Sequence, residues 1–302
     1  MNLLKYCKTR EKFLEKNNFN VPKSETYKNY EDAINNIEKF ELPIIVKPVD
    51  SAGSKGVIRV NNLEDFKEAF EYAFKYSASG EIIVEEFIEK LGFSSDTDSF
   101  SVDGNLVFCS FNDQLFDEKA DNPYTPSAYI WPSSMAIEMQ KELESELQRL
   151  MKLLNLKSSI YNIETRIGKN GKPYIMECTP RAGGNRLAEI LKLSTGQDII
   201  TASVKASLGM KIEGLTKPKY DGFWGELILH SNESGVFQEL IIDEVVKEAI
   251  VEVDLWISKG DFVNSFTGAN ETIGTVIINC KTKEELERIV RNSQNLIKIS
   301  VK

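Results

Sequence analysis

Apolar and polar positions along the chain change period several times, and each change marks an element. Residues 8 to 18 set Lys, Arg and Glu around Phe13 and Leu14 as a surface helix does, and Asn17, Asn18 and Pro22 end it. A second helical pattern runs from Tyr30 to Phe40. Pro43 then introduces the β-branched run Ile44-Ile45-Val46, which reads as a buried strand closed by Lys47 and Pro48. Beyond the glycine-containing stretch Ser51 to Gly56, Val57-Ile58-Arg59-Val60 is a second strand, Leu63 to Tyr76 a helix and Ile82-Ile83-Val84 a third strand. Asp103-Gly104 favours a hairpin between Phe100-Ser-Val and Leu106-Val-Phe-Cys, because these turn residues accept positive φ. Pro123, Pro126 and Pro132 mark a long irregular connection covering Phe111 to Pro132. Met139, Leu143, Leu147, Leu150 and Leu154 then recur at helical spacing as a core-facing stripe. Ile160 to Ile167 and Tyr174 to Cys178 are strands joined at Asn170-Gly171, and Leu187 to Leu193 and Ile199 to Leu208 are helices. From Leu215 strands alternate with the helix Lys283 to Asn292. There is no internal repeat and no low-complexity tract.

The 302 residues suffice for about two domains of ordinary size. With 41% apolar and 27% charged residues, the composition excludes disordered, collagenous and disulfide-scaffold classes. Thirty-seven basic against 46 acidic residues leave a net charge of −9, which repels polyphosphate backbones and anionic lipid, so neither nucleic acid nor membrane is an expected partner. No apolar run reaches the roughly 18 residues of a spanning helix, and the first residues lack a signal-peptide core, which points to the cytoplasm. Four separated cysteines offer no Cys-x-x-Cys clamp and read as reduced, buried thiols. The single histidine, His230, reads as a strand-end residue, so chemistry falls to Lys, Arg, carboxylates and backbone.

Lys47 ends an apolar strand and precedes SAGSKGV, where glycines let backbone N–H groups converge on an anion. An ammonium beside such a loop suits nucleotide phosphates; a hairpin turn with a snorkelling lysine fits the same residues. The stretch is not a Walker A loop, since Val57 follows Gly56, and no kinase triplet occurs. Val84-Glu85-Glu86-Phe87-Ile88 ends a strand in two carboxylates. Its edge offers the backbone acceptor and donor an adenine needs, although charged residues at a strand exit are as ordinary. Glu164 and Glu177 lie thirteen residues apart across the Asn170-Gly171 turn. In a regular hairpin they share a face, and Mg²⁺, a hard ion with oxygen ligands, relieves their repulsion. The alternative is ordinary ion pairing with Arg166 and Arg181. Thr179-Pro180-Arg181-Ala182-Gly183-Gly184-Asn185 follows at once, placing a guanidinium suited to phosphate beside a second glycine-rich loop.

Taken in order, IIVKPVDSAGSKGV, VEEFI, YNIETRIGKNGKPYIMECTPRAGGN and STGQDII resemble the ATP-grasp superfamily, most closely its carboxylate–amine ligases of the L-amino-acid ligase and carbamoyl-phosphate-synthase-like type. The resemblance runs from the helix near Arg10 to the end of the chain. It implies an α+β ATP-grasp fold: two α+β lobes with ATP between them and an antiparallel C-terminal subdomain. The lid lobe with its N-terminal helix would span 1–100, the large lobe with the metal site 101–214, and the closing subdomain 215–302. By position, Lys47 stands where the family binds phosphate, and Ser51, Gly53, Ser54 and Gly56 belong to a loop closing over the β- and γ-phosphates. Glu85 falls at the adenine hinge, with the backbone of Glu86 and Ile88 on the base edge. Glu164 and Glu177 occupy the Mg²⁺ positions. Arg181 stands where the family contacts the γ-phosphate and acylphosphate, and Gly183, Gly184 and Asn185 where it shapes the substrate carboxylate pocket. Lys47 and Arg181 would thus carry catalysis.

The chain departs from the family in three places. Thr179 replaces the Asn usual two residues after the second metal-binding Glu, and its hydroxyl is a poorer Mg²⁺ ligand. Gly92 replaces the carboxylate that holds the ribose, with Glu89 a substitute. Met1 stands almost where the ATP-grasp part starts, so either part of the substrate site comes from another chain that supplies the usual N-terminal domain, or the sequence is a fragment; a homo-oligomer is the other arrangement. The implied reaction is phosphoryl transfer from ATP to a small carboxylic acid, followed by attack of an amine on the acylphosphate; a nucleotide-binding subunit or pseudo-enzyme is the alternative.

Overall fold

A computed structural model of the chain describes residues 7–51 and 55–302, the side chains of residues 7–11 excepted. Two compact units emerge: residues up to Leu91 with Ile167–Met176, and Gly92–Arg166 with Glu177–Lys302. The expected loop residues Gly53 and Ser54, and the side chain of Arg10, lie outside the described residues.

Unit 1 begins with α1 (Cys7–Lys16), β1 (Ser24–Tyr27) and α2 (Tyr30–Ile34), followed by β2 (Ile44–Pro48), β3 (Ile58–Val60), α3 (Phe66–Lys75) and β4 (Ile82–Glu86). The helix expected over Tyr30–Phe40 stops at Asn35 and resumes as a short 3₁₀ turn at Ile37–Lys39. Asn29 caps it by accepting the Asp32 N–H at 2.8 Å. The four strands form an antiparallel sheet in the order β1-β4-β2-β3. Ile44, Val46, Ile82 and Val84 point to one face, where they pack with Phe66, Phe70 and Ala73 of α3. Strand alternation turns Ile45, Lys47, Ile83 and Glu85 to the other face.

Unit 2 contains β5 (Ser95–Val102), β6 (Asn105–Cys109), β7 (Asp113–Phe116), β8 (Pro126–Trp131) and α4 (Ile137–Leu153). It continues with β9 (Ser159–Ile167) up to Arg166 and with β10 (Pro173–Thr179) from Glu177, the residues between belonging to unit 1, and then with α5 (Leu187–Thr195), α6 (Ile199–Ser207), β11 (Phe223–Leu229) and β12 (Gly235–Ile242). The last elements are α7 (Glu244–Lys247), β13 (Ile250–Leu255), β14 (Phe262–Val263), β15 (Gly274–Cys280), α8 (Lys283–Arg291), α9 (Ser293–Leu296) and β16 (Ile297–Val301). Three sheets result: β10-β9-β5-β6, β13-β15-β11-β8-β7 and β14-β12-β16.

The connection expected to be irregular from Phe111 to Pro132 in fact holds two paired strands, β7 and β8. No apolar alternation announces β7, because Asn112, Asp113 and Gln114 are all buried polar residues. Asp113 instead accepts the Ser133 hydroxyl and the Ser134 N–H, both at 2.8 Å. Around the five-stranded sheet lie two cores. Tyr129, Trp131, Trp224, Ile228 and Ile277 pack with α5 and α6 on one face, and Ala128, Ile130, Leu227, Leu229 and Ile278 pack with α8 on the other. Among the described residues no helix is long and apolar enough to cross a membrane.

Phe66 is fully buried against the unit 1 sheet. Phe66→Ala should therefore cost about 3–5 kcal/mol in urea unfolding of the full chain; a loss under about 1 kcal/mol would show that α3 does not hold this sheet.

Candidate active site

In unit 1 the register pairs Ile45 with Glu85, so Lys47, two residues along β2, shares a face with Glu85. Lys47 Nζ and Glu85 Oε1 are 2.5 Å apart, with the Lys47 and Glu85 side chains 16% and 5% exposed. Glu85 Oε2 is buried and has no hydrogen-bond partner among the described residues. A basic and an acidic group thus stand where a nucleotide was expected, one oxygen ready for a donor. The Glu86 N–H is spent on the Lys23 carbonyl at 2.9 Å, and the Phe87 N–H goes to the Pro43 carbonyl at 3.0 Å. Ile88 follows this edge. Glu89 pairs with Lys169 at 2.6 Å, and that hydrogen bond holds its carboxyl below the usual range. Ser51 is exposed after β2. Gly56 has φ +75°, and a Cβ there would meet Pro48 Cγ at 2.9 Å, so the turn that closes the loop requires glycine.

In unit 2 Glu164 and Glu177 come from β9 and β10, hydrogen-bonded neighbours in the sheet, and both are half-buried. Glu164 is paired with Arg166 at 3.3 Å, as the ion-pair alternative anticipated for that residue. The Thr179 hydroxyl lies 3.5 Å from the Asn162 carbonyl on β9. These donors are all oxygen, two anionic, which suits Mg²⁺, an ion that keeps several waters and phosphate oxygens among its ligands. Among the described residues no three acidic, histidine or cysteine side chains converge closely enough to hold a metal alone. Arg181 is exposed, its guanidinium donating to the Ala182 carbonyl at 2.8 Å rather than to either glutamate.

The loop after β10 is held by a residue the sequence reading missed. Asp98 on β5 accepts the Gly183 N–H at 2.7 Å, and Asn162 Nδ2 lies 3.4 Å from the same oxygen. A Cβ on Gly183 would sit 2.9 Å from Asp98 Oδ1 and from Asn162 Nδ2, so only glycine allows this approach. Asn185 and Arg186 follow with φ +51° and +64°, strained conformations for side-chain-bearing residues, directly before α5. Gly184 has open space around its Cα. Burial pushes the Asp98 carboxyl up to about 7 against the lowering effect of the Gly183 bond. Asp96, whose oxygens take Asn162 Nδ2 at 2.9 Å and the Tyr129 hydroxyl at 3.2 Å, is likewise raised to about 7, by desolvation and then by the Glu164 charge. Asp96 and Asp98 alternate along one strand face, and only the strand register, which sets them opposite Glu164 and Asn162, shows where they point.

His230 follows β11 and is buried, with Nδ1 2.7 Å from the Ile228 carbonyl and its ring stacked on Phe266 at 4.0 Å. It lines a cavity of about 410 Å³, with Asp117 and Gln294, that gathers none of the expected site residues.

A model of the ATP-grasp domain matches residues 40–189. The carbamoyl phosphate synthase large chain of Thermoanaerobacter sp. (strain X514) is 29% identical over 210 residues, 68% of this chain and 19% of its own length. The C-terminal section of that large chain from Aquifex aeolicus is 24% identical over 191 residues, 63% of this chain and 34% of its own length. The chain thus spans about a fifth of the first of these relatives. Among solved structures, L-amino acid ligase from Bacillus licheniformis superposes with a TM-score of 0.82 at 22% identity, covering 99% of this chain and 72% of that one. The biotin carboxylase domain of Hydrogenobacter thermophilus 2-oxoglutarate carboxylase, solved with MgADP and bicarbonate, gives 0.77 at 16% identity over 100% of this chain and 68% of that one.

Two outcomes follow from the charges. Lys47→Met strands a buried carboxylate and should cost about 3–5 kcal/mol in urea unfolding, most of it recovered in the Lys47→Met/Glu85→Gln double variant; equal losses in both would deny the coupling. Asp98 gains protons on folding between its ordinary value near 4 and about 7, so its burial penalty is absent at low pH and complete above about 7. Asp98→Asn, which keeps an acceptor for Gly183, should therefore be more stable than the parent at pH 8, the advantage shrinking as pH falls towards 4. An advantage independent of pH would contradict this.

Proposed function

Because the chain belongs, through residues 40–189, to the ATP-grasp family, we propose that it is an ATP-dependent ligase that activates a small carboxylic acid as an acylphosphate for attack by an amine. One observation carries this reading: Glu164 and Glu177 stand on adjacent strands, and the chain leads directly from the second into Arg181 and a glycine loop pinned to the same sheet. Few other functions need two carboxylates, a guanidinium and an amide-rich loop in that order.

In this reading Lys47 binds nucleotide phosphate oxygens, with Glu85 orienting its ammonium. The Glu86 carbonyl and the Ile88 backbone meet the adenine edge, and the loop from Ser51 to Gly56, including Gly53 and Ser54, covers the phosphates. Glu89 serves the ribose only by giving up Lys169. Glu164, Glu177 and Thr179 hold Mg²⁺, which neutralises phosphate charge when bound. Arg181 leaves the Ala182 carbonyl to meet the transferring phosphoryl group, where its fork matches developing negative charge. Gly183, Gly184 and Asn185 receive the substrate carboxylate with main-chain N–H groups. The acid oxygen attacks the γ-phosphorus as ADP leaves. The amine then attacks the acyl carbon, phosphate departs, and the amine's proton passes to solvent or a nearby carboxylate.

ADP release, screened across carboxylic acids and amines with Mg²⁺, tests the assignment. Glu177→Gln should lower turnover about 100-fold or more with an unchanged circular dichroism spectrum, since a charged ligand is lost without loss of volume. Full activity in this variant would remove Glu177 from the metal site.

A further inference from the structure

The cavity of about 410 Å³ lies within unit 2, lined by β7, β8 and β11 and by the later elements α8, α9 and β16. Leu115, Leu227, Leu229, Ile297 and Ile299 make its walls largely apolar. Its volume is in the range of small-molecule sites. One polar cluster interrupts these walls, built on Asp117, His230 and Gln294. His230 Nδ1 lies 2.7 Å from the Ile228 carbonyl, which can only accept, so Nδ1 carries a hydrogen. In the uncharged ring Nε2 therefore holds a lone pair.

That nitrogen is 3.2 Å from Asp117 Oδ2. Two acceptors this close need a donor between them, and Gln294 Nε2 supplies it, 3.1 Å from His230 Nε2 and 3.3 Å from Asp117 Oδ2. Gln294 is exposed on the four-residue helix α9, so its side chain is free to swing away. The Asp117 side chain is 11% exposed, and its one ion-pair contact among the described residues is His230. Burial acts to raise its pKa, but the bonds from the Asn232 amide at 2.8 Å, the Lys119 N–H at 2.9 Å and His230 outweigh it and hold the carboxyl below its usual range. Protonation therefore does not relieve this charge at neutral pH. Arg291, the basic residue of the lining, is engaged with Glu287 at 3.1 Å, and Glu118 adds a second carboxylate. An uncharged amide thus stands between two acceptors, in a place where a cationic donor makes stronger bonds.

We propose that this cavity is a second small-molecule site, which takes a primary ammonium compound with an apolar tail. The ammonium displaces the Gln294 amide and donates to Asp117 Oδ2 and His230 Nε2, and the tail lies against Leu227, Leu229 and Ile297. An anionic ligand of the same shape is repelled by Asp117 and Glu118. The proposal does not rest on the ligase reading, because the cavity gathers none of the residues assigned to that reaction.

His230 is the single histidine of the chain, so its imidazole NMR signals report on the cavity directly. The full chain, free of any histidine tag and without ATP, is titrated at pH 7.5 with n-hexylammonium, hexan-1-ol and hexanoate, and calorimetry gives the affinities. n-Hexylammonium should move the imidazole signals and bind about tenfold or more tightly than either analogue, because only it makes charge-assisted bonds to Asp117. Asp117→Asn should weaken its binding about tenfold or more. Gln294→Ala, at an exposed position, should strengthen it about threefold, since no amide has to be displaced. Absence of n-hexylammonium binding, equal affinities for the three probes, binding that leaves the imidazole signals unmoved, or unchanged affinity in a folded Asp117→Asn variant overturns the proposal. So does weaker binding in Gln294→Ala, which decides the matter alone if circular dichroism shows Asp117→Asn unfolded. An imidazole with hydrogens on both nitrogens before any amine is added also overturns it, since Nε2 would then donate rather than accept.

Discussion

Asp98 accepts the Gly183 N–H at 2.7 Å from a strand position that solvent does not reach, and the loop between β10 and α5 hangs on this bond. The loop carries Arg181, the two glycines and Asn185, so this bond fixes where their main-chain N–H groups lie beside the sheet. Burial makes the arrangement costly, since an ionised carboxylate in a dry strand pair is unfavourable unless hydrogen bonds compensate. Only half of Asp98 is compensated, since its Oδ2 has no hydrogen-bond partner among the described residues. The same region tolerates left-handed backbone at Asn185 and Arg186, a second cost accepted next to the first. Such concentrations of unfavourable local structure are expected where a protein trades stability for binding.

Charge is handled differently in the two units. In unit 1 the nearly buried Lys47 and Glu85 are in contact, which keeps the ammonium aligned on its strand face and leaves one Glu85 oxygen without a partner among the described residues. In unit 2 the acids outnumber the available bases. Arg166 takes Glu164, Arg186 takes Glu252 and Asp254, and Arg181 turns to its own chain. Asp96, Asp98 and the fully buried Glu226 of β11 are left to be neutralised by protons.

Much of the fold was legible because it obeys simple periods. The stripe Leu143, Leu147, Leu150 is buried on α4, and the apolar runs Ile44–Val46 and Ile82–Val84 are central strands. The strands β7 and β8 were not legible, because β7 buries polar side chains whose partners, Ser133 and Ser134, lie twenty residues away. Of the candidate site, the residues read by spacing fall on the expected elements, with Gly53 and Ser54 outside the described residues. Asp96, Asp98 and Glu226 escaped because single acids in strands look like surface positions. Only pairing with Asn162, Glu164 and Tyr129 reveals that they face inward.

In the proposed reaction a carboxylate oxygen attacks ATP, and isotope transfer tests this step directly. The carboxylic acid that best stimulates ADP release, labelled with ¹⁸O in both carboxylate oxygens, should deliver one ¹⁸O to the phosphate released per turnover, because the bridging oxygen of the acylphosphate leaves with phosphorus. Phosphate released with no label, at a rate matching product formation, would contradict it.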